Sequence, residues 1–275
     1  RALVKPMLQS AWPIALIGLL GALSLNVDVI MLGWFRSAEE IGFYSAGQKV
    51  IQVLYTFPAI IASSLLPLSS RLVELKDEVK LRLLTEKGLA LVFALALPLA
   101  MGGAILAEPI ILFLYGQEYV PGAASFQILI ATVLVVFPGT VLGNIILAYD
   151  KQRKIAWYVA ATSISNVVMN LALIPSFGIV GAAIATIVAQ FFYNLLVWKF
   201  VKKLVPFSIV RHIMKIAFAT VVMGAVAFLL SAVDVHILIT ISVAAASYFA
   251  VLALLKERII VEVREMMRLA KNGSV

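Results

Sequence analysis

The sequence contains no cysteine and few charged residues. Of its 275 residues, 13% are Asp, Glu, Lys or Arg, whereas 63% are hydrophobic. The absence of cysteine excludes disulfide bonds and thiolate metal sites, and the low charge excludes a water-soluble domain, in which about 25% of residues are charged. The sequence also lacks a Walker loop, a dinucleotide-binding fingerprint, a nucleophile elbow and a paired-histidine zinc motif. It therefore predicts a membrane protein that is not an enzyme.

Long uncharged segments make up most of the chain, and each can cross a bilayer, which takes about 20 apolar residues. The longest segment contains the turn IPSFG at 174–178, which divides it into two crossings. We predict an all-α integral membrane protein with about eight transmembrane helices, at residues 8–35, 41–70, 87–107, 121–149, 154–174, 178–200, 212–232 and 236–255. The external connections are too short for a folded domain, which disfavours a polysaccharide polymerase or ligase with an external active site.

The positive charges are distributed unevenly across the predicted bundle. Nearly all of the 22 Lys and Arg residues lie in alternate connections, on what we call the basic side. The exceptions are Arg36, in an external connection, and Lys49, within a helix. By the positive-inside bias, the basic side and both ends of the chain face the cytoplasm. Because this topology explains the net charge of +8, the sequence does not predict nucleic acid as a partner.

Four polar side chains lie at a similar depth within the predicted helices. Asp28 precedes the external end of the first helix, and Lys49 follows the external start of the second. Asn166 and Thr186 lie on either side of the IPSFG turn. A rise of about 1.5 Å per residue puts all four about 12 Å below the external surface, with Asn170 one turn nearer the outside on the same helical face as Asn166. Polar residues at such a depth are costly and mark functional sites.

Three arrangements of Asp28 are consistent with this pattern, and they are not mutually exclusive. In the first, Asp28 forms a neutralised ion pair with Lys49, since buried charges usually have partners. In the second, Asp28 is the anion of a cation site with Asn166, Asn170 and Thr186, whose hard oxygen ligands suit sodium, or Asp28 itself carries a proton. In the third, Asp28 and Lys49 line the lumen of a transporter and contact the polar head of a substrate.

Three segments carry a resemblance to a known family: VDVIMLGWFRSAEEIGFYSAGQKVIQVLYTFPAIIASSLLPLSS, LFLYGQEYVPGAASFQIL and LALIPSFGIVGAAIATIVAQ. They are similar to the prokaryotic polysaccharide transporters, the oligosaccharide flippases of the multidrug/oligosaccharidyl-lipid/polysaccharide (MOP) flippase superfamily. Such transporters have two six-helix lobes facing a central cavity and up to two further helices. The resemblance implies a C-terminal lobe at 1–203, two additional transmembrane helices at 204–257 and a cytoplasmic amphipathic tail at 258–275. The N-terminal lobe would be missing, in agreement with a first residue that is not Met.

The resemblance also implies transport without covalent chemistry. By alternating access, the protein would translocate a lipid-linked oligosaccharide or polysaccharide precursor across the prokaryotic cytoplasmic membrane. Its partners would be membrane lipids, the lipid-linked glycan and the missing N-terminal lobe. A multidrug or cation antiporter of the same superfamily is the alternative, because it shares the architecture.

A coupling ion is the one cofactor that the resemblance implies. In the lipid II flippase branch, the second lobe holds sodium between its first, fifth and sixth helices through acidic, amide and hydroxyl oxygens. Asp28, Asn166, Asn170 and Thr186 fall on the corresponding helices. The fifth helix often carries an acid where this chain has Asn170, so both a sodium ion and a proton remain candidates.

Overall fold

The computed structural model describes residues 4–255, which form α-helices and one 3-10 helix and contain no strand. The predicted all-α class is thereby confirmed. The amphipathic tail expected at 258–275 lies outside the described residues. The helices are α1 (Val4–Phe35), α2 (Ala38–Leu54), α3 (Thr56–Glu74), α4 (Glu78–Ile105), α5 (Ala107–Tyr115), the 3-10 helix Gln117–Gly122, α6 (Ala123–Ile130), α7 (Val133–Ala148), α8 (Gln152–Leu204), α9 (Val210–Ala232) and α10 (Ile237–Leu254).

Each of the eight segments expected to cross the membrane is mostly helical in the structure. By length and composition, five of the described helices are candidates to span a bilayer, or six if the bent pair Gln117–Ile130 and Val133–Ala148 is one span. That count takes α8 as a single span, joins α2 and α3 into one span, and leaves out α1, of which Asn26–Phe35 is a shorter apolar helix. The chain is therefore a multi-pass membrane protein.

Gly178 folds α8 back on itself. Its φ of 58° and ψ of −135° interrupt the helix, in a conformation that glycine tolerates best. Asn170 and Thr186 donate hydrogen bonds to the same carboxylate, although their Cα atoms would be about 24 Å apart in a continuous helix. Helix α8 therefore consists of two arms that run in opposite directions, α8a (152–177) and α8b (179–204), and the predicted IPSFG turn is confirmed.

Arg36 holds this turn from the C-terminal end of α1. Its Nη2 donates to the carbonyl oxygens of Ile174 and Pro175 at 2.8 Å each, and its Nε donates to that of Ile174 at 3.3 Å. Carbonyls at the end of a helix lack partners within the helix and interact favourably with a cation. The basic residue that the sequence places in an external connection is thus a cap for α8a.

Arg36→Ala is expected to lower the midpoint of thermal unfolding. The substitution removes the charged donor from the end of α8a, and a hydrogen bond to a charged group is worth about 1.5–3 kcal/mol. Arg36→Lys should retain only part of this stability, because an ammonium group cannot form the two-pronged hydrogen bonds of a guanidinium. Arg153→Ala is the matched control, since Arg153 is exposed at the start of α8a. Tryptophan fluorescence can follow unfolding, and equal midpoints for Arg36→Ala and Arg153→Ala would contradict the role of Arg36 as a cap.

Two helix breaks face each other in the middle of the bundle. Helix α2 ends just before Tyr55, and α3 begins just after it. Pro58 lies in the first turn of α3, where it has no N–H to donate to the carbonyl of Leu54. The hydroxyl groups of Tyr55 and Thr132 share a hydrogen bond of 2.6 Å, and Thr132 lies at the break between α6 and α7. The break between α2 and α3 therefore contacts the break between α6 and α7.

The buried residues form two apolar clusters. The larger one draws on helices α1 to α8, with Tyr44, Phe126 and Phe137 among its largest fully buried side chains. The second joins α9 and α10 to α4, and the hydroxyl of Tyr248 donates to the carbonyl of Ala94 at 2.7 Å. The division into a lobe at 1–203 and two additional helices at 204–257 stays a prediction.

Candidate functional site

The carboxylate of Asp28 is buried where α1 meets α2 and both arms of α8. Asp28 is 1% exposed. The hydroxyl of Tyr44 donates to Oδ2 at 2.8 Å, and Nδ2 of Asn170 donates to Oδ1 at 2.7 Å. The hydroxyl of Thr186 also donates to Oδ2. One carboxylate thus holds four helical segments together through three neutral donors.

Asn166 completes this group one turn away from Asn170 on α8a. Its Oδ1 accepts a hydrogen bond of 3.2 Å from Nδ2 of Asn170, and both asparagines are buried, at 5% and 0% exposure. Asn170 therefore divides its two N–H donors between Asp28 and Asn166. The structure brings together the four oxygen-bearing residues that the sequence analysis named as a candidate cation site: Asp28, Asn166, Asn170 and Thr186.

Local structure explains why these side chains converge. Spacing of four residues puts Asn166 and Asn170 on one face of α8a. The reversal at Gly178 returns α8b along that face, so that Thr186 comes level with Asn170. Arg36 ties α1 to the same reversal, and this fixes the position of Asp28 along α1 relative to α8.

Tyr44 is a site residue that sequence reasoning missed. It lies on α2 and is 0% exposed, with its hydroxyl on the Asp28 carboxylate. Buried tyrosine hydroxyls usually have a hydrogen-bond partner. A tyrosine in a largely apolar stretch soon after Asp28 could therefore have indicated this contact from the sequence. Tyr44 extends the site from α1 and α8 to α2.

The predicted ion pair between Asp28 and Lys49 is wrong for this structure. Lys49 is exposed, and no described Lys or Arg side chain forms a salt bridge with Asp28. The reason is helical rotation: Lys49 lies about 140° around α2 from Tyr44. Because Tyr44 faces Asp28, Lys49 points away from it.

The site has the oxygen ligands that an alkali cation needs. Besides the two carboxylate oxygens of Asp28, the hydroxyl of Thr186 and Oδ1 of Asn166, it contains Oδ1 of Asn170, which is buried and has no hydrogen-bond partner among the described residues. Rotating the side-chain amide of Asn170 by about 180° would place this oxygen beside Asp28, where the N–H donor now lies. In the described part of the chain, including this site, no three His, Cys, Asp or Glu side chains converge as a transition-metal site would require.

The sequence is similar to proteins of polysaccharide biosynthesis. Residues 1–124 match a family described as "Polysaccharide biosynthesis protein". Over 167 residues the chain is 28% identical to the probable flippase AglR of Haloferax volcanii, and the alignment covers 60% of this chain and 35% of AglR. The chain thus spans about a third of the length of this relative.

The fold is shared with solved transporters. It matches the lipid II flippase MurJ, in an inward closed conformation, with a TM-score of 0.79 and 17% identity over 93% of this chain and 55% of MurJ. It also matches an outward-facing multidrug resistance MATE family transporter of the MOP superfamily, with a TM-score of 0.64 and 14% identity over 94% of this chain and 69% of that one. At these identities the solved structures show only the fold. The family match and the flippase relative show similarity in sequence. The chain is therefore similar in sequence to polysaccharide biosynthesis proteins and to a probable flippase, and it shares the fold of transporters that include one of the MOP superfamily.

Proposed function

We propose that the chain is the C-terminal lobe of an alternating-access flippase. Together with an N-terminal lobe, it would translocate a lipid-linked oligosaccharide or polysaccharide precursor across the prokaryotic cytoplasmic membrane. The observation that carries the proposal is the Asp28 carboxylate, which is buried among neutral donors from α2 and both arms of α8. A structural scaffold has no need for such a group, because a carboxylate is expensive to bury without a cation.

The site can couple ion binding to helix movement because its ligands lie on separate segments. A sodium ion or a proton, when bound, supplies the positive charge that balances the carboxylate. Asp28 on α1, Asn166 and Asn170 on α8a, and Thr186 on α8b would then hold their segments in one arrangement. Without that charge, the same segments carry an uncompensated carboxylate that favours access to water. Two such states are what alternating access requires.

Lys49 fits the lumen better than the lipid. Its ammonium is exposed on α2, about 12 Å below the external surface, and a charge at that depth facing lipid would be costly. We assign it to the water-filled space between the lobes, where it would contact an anionic group of the lipid-linked glycan. The basic side would face the cytoplasm, with both ends of the chain.

The family match favours a glycan cargo over a drug. It concerns polysaccharide biosynthesis, and the relative that is 28% identical is a probable flippase. A multidrug or cation antiporter remains the second candidate, because the multidrug transporter shares the fold over 94% of the chain.

Flipping of a fluorescent lipid-linked oligosaccharide in proteoliposomes tests the proposal, with both lobes of the protein present. We expect flipping that responds to a sodium or a proton gradient, and we expect Asp28→Asn to abolish that response. Asn keeps the size of Asp28 but carries no charge to exchange with an ion. Asp234→Asn is the matched control, because Asp234 is exposed between α9 and α10 and Asn tolerates its positive φ of 54°.

Each outcome has a distinct meaning. Gradient dependence that survives in Asp28→Asn would make Asp28 structural. A protein that flips no lipid-linked glycan but exports organic cations would move the antiporter to first place. Loss of flipping in Asp234→Asn as well would show that the assay reports general damage to the protein.

A further inference from the structure

A cavity separate from the Asp28 site lies between α7 and the two arms of α8. Its volume is about 290 Å³, near the lower end of the range for ligand pockets. None of the described residues that line it is charged. Aliphatic side chains and two glycines form part of its wall, and five amide or hydroxyl side chains form the rest: Thr140, Asn144, Gln190, Tyr193 and Asn194.

Asn194 presents an unpartnered acceptor at this cavity. Its side chain is buried, with 8% exposure, and its Nδ2 donates to the carbonyl of Gln190 at 2.8 Å. Its Oδ1 has no hydrogen-bond partner among the described residues. Such an acceptor lowers stability unless a donor reaches it. The oxygen is packed against Gly139, so a ligand in the cavity can donate to it once the amide rotates toward the cavity.

Other groups around the cavity also have free hydrogen-bonding capacity. No hydrogen bond joins the side chains of Asn144, Gln190 or Tyr193 to another described residue. Each of these side chains can both donate and accept. The lining therefore suits a neutral ligand with donors and acceptors. It does not suit a phosphate or a bare ion, which binds through charged partners.

We propose that this cavity binds a neutral sugar unit. The hydroxyl groups of a sugar ring donate and accept, its C–H faces can pack on Val136, Leu147 and Ile155, and one ring fits the volume. A lipid acyl chain would fit the aliphatic wall but would leave the Asn194 oxygen unpaired. The assignment rests on the proposed function for the source of the ring, which is the glycan of the lipid-linked cargo.

The cavity is connected to the Asp28 site through α8b. Thr186, Gln190 and Asn194 follow one another at intervals of four residues and therefore lie along one face of that arm. Thr186 binds the Asp28 carboxylate, whereas Gln190 and Asn194 line the cavity. A movement of α8b that changes one site necessarily changes the other.

Equilibrium binding of simple glycosides tests the proposal. The probes are the methyl glycosides of glucose, galactose, mannose and N-acetylglucosamine, added to the full chain in a detergent without a sugar headgroup. Saturation-transfer difference NMR should show saturable binding of at least one of them and weaker binding of glucose 1-phosphate. If no neutral glycoside binds saturably, or if octanol displaces the bound glycoside as a better ligand, the proposal is overturned.

Substitutions then locate the bound glycoside. Asn194→Ala should weaken binding at least tenfold, because it removes the free acceptor. Asn26→Ala is the matched control: Asn26 also donates to the carbonyl four residues earlier, at 2.9 Å, but it does not line the cavity. Gly143→Ala adds a methyl group to the cavity wall where no atom lies within 4 Å, so it should keep the fold while weakening binding.

These variants keep the proposal falsifiable even if one of them is unstable. Thermal midpoints show which variants are folded, and Gly143→Ala decides the question if Asn194→Ala does not fold. Unchanged affinity in every folded cavity variant would overturn the assignment. Glycoside binding without any flipping by the two-lobe protein would overturn the proposed function alone, and flipping without glycoside binding would overturn only the cavity assignment.

Discussion

Gly139→Ala is expected to destabilise the chain by about 1–3 kcal/mol, the usual cost of overpacking a buried contact. A Cβ at this position would overlap Oδ1 of Asn194, so the two atoms cannot coexist. The amide of Asn194 would have to rotate away, at the expense of its hydrogen bond to Gln190, or α7 would have to move away from α8b. Thermal unfolding followed by tryptophan fluorescence would measure the loss.

Gly143→Ala provides the matched control for this effect. Gly143 lies one turn further along α7 and also lines the cavity, but a Cβ there meets no atom within 4 Å. Because alanine favours a helix over glycine by about 1 kcal/mol, this variant should be as stable as the parent or more stable. The double variant Gly139→Ala/Asn194→Ala should recover much of the lost stability, since the clash is removed. Additive losses in the double variant would show that the Asn194 contact is not the cause.

The sequence predicted that the polar residues lie level with one another, which their contacts confirm, but it did not predict their rotation about the helix axis. Helical rise alone placed Asp28, Asn166 and Thr186 at one level, because depth depends only on the distance along the chain to a membrane boundary. Which neighbour a side chain faces depends on how the helices pack. Lys49 and Tyr44 belong to the same helix at nearby depths, and only packing decided that Tyr44 faces Asp28.

The cavity and the short helix α5 also could not be predicted from the sequence. Asn194 and Gly139 lie in apolar stretches, far apart in sequence, and only the return of α8b at Gly178 brings them into contact. Helix α5 and the 3-10 helix occupy a connection that the sequence reading left without structure. By contrast, the IPSFG turn was predictable because proline and glycine punctuate a helix wherever they occur.

Asn170→Asp is expected to make the stability of the chain depend steeply on sodium. Asn170 is 0% exposed, and its Nδ2 lies 2.7 Å from Oδ1 of Asp28. The substitution replaces that donor with a second carboxylate, and two like charges about 4 Å apart repel each other by about 4 kcal/mol at an effective dielectric constant of 20. In choline buffer the midpoint of unfolding should therefore fall well below that of the parent. A cation held between the two carboxylates would turn the repulsion into attraction, so sodium at constant ionic strength should raise the midpoint more than it does in the parent.

Asn194→Asp separates this sodium effect from the general cost of a buried charge. Asn194 is similarly buried, at 8% exposure, but the cavity that it lines contains no charged described residue, so there is no second carboxylate to share a cation. Acid pH should restore both variants by protonating the new carboxyl group, whereas sodium at neutral pH should restore only Asn170→Asp. If sodium has no effect on Asn170→Asp, these residues do not form a sodium site, and a proton is then the candidate coupling ion that is left. Asp28 would then carry that proton among Tyr44, Asn170 and Thr186, whose side chains can donate to the carboxylate and, through their oxygens, accept from the protonated form.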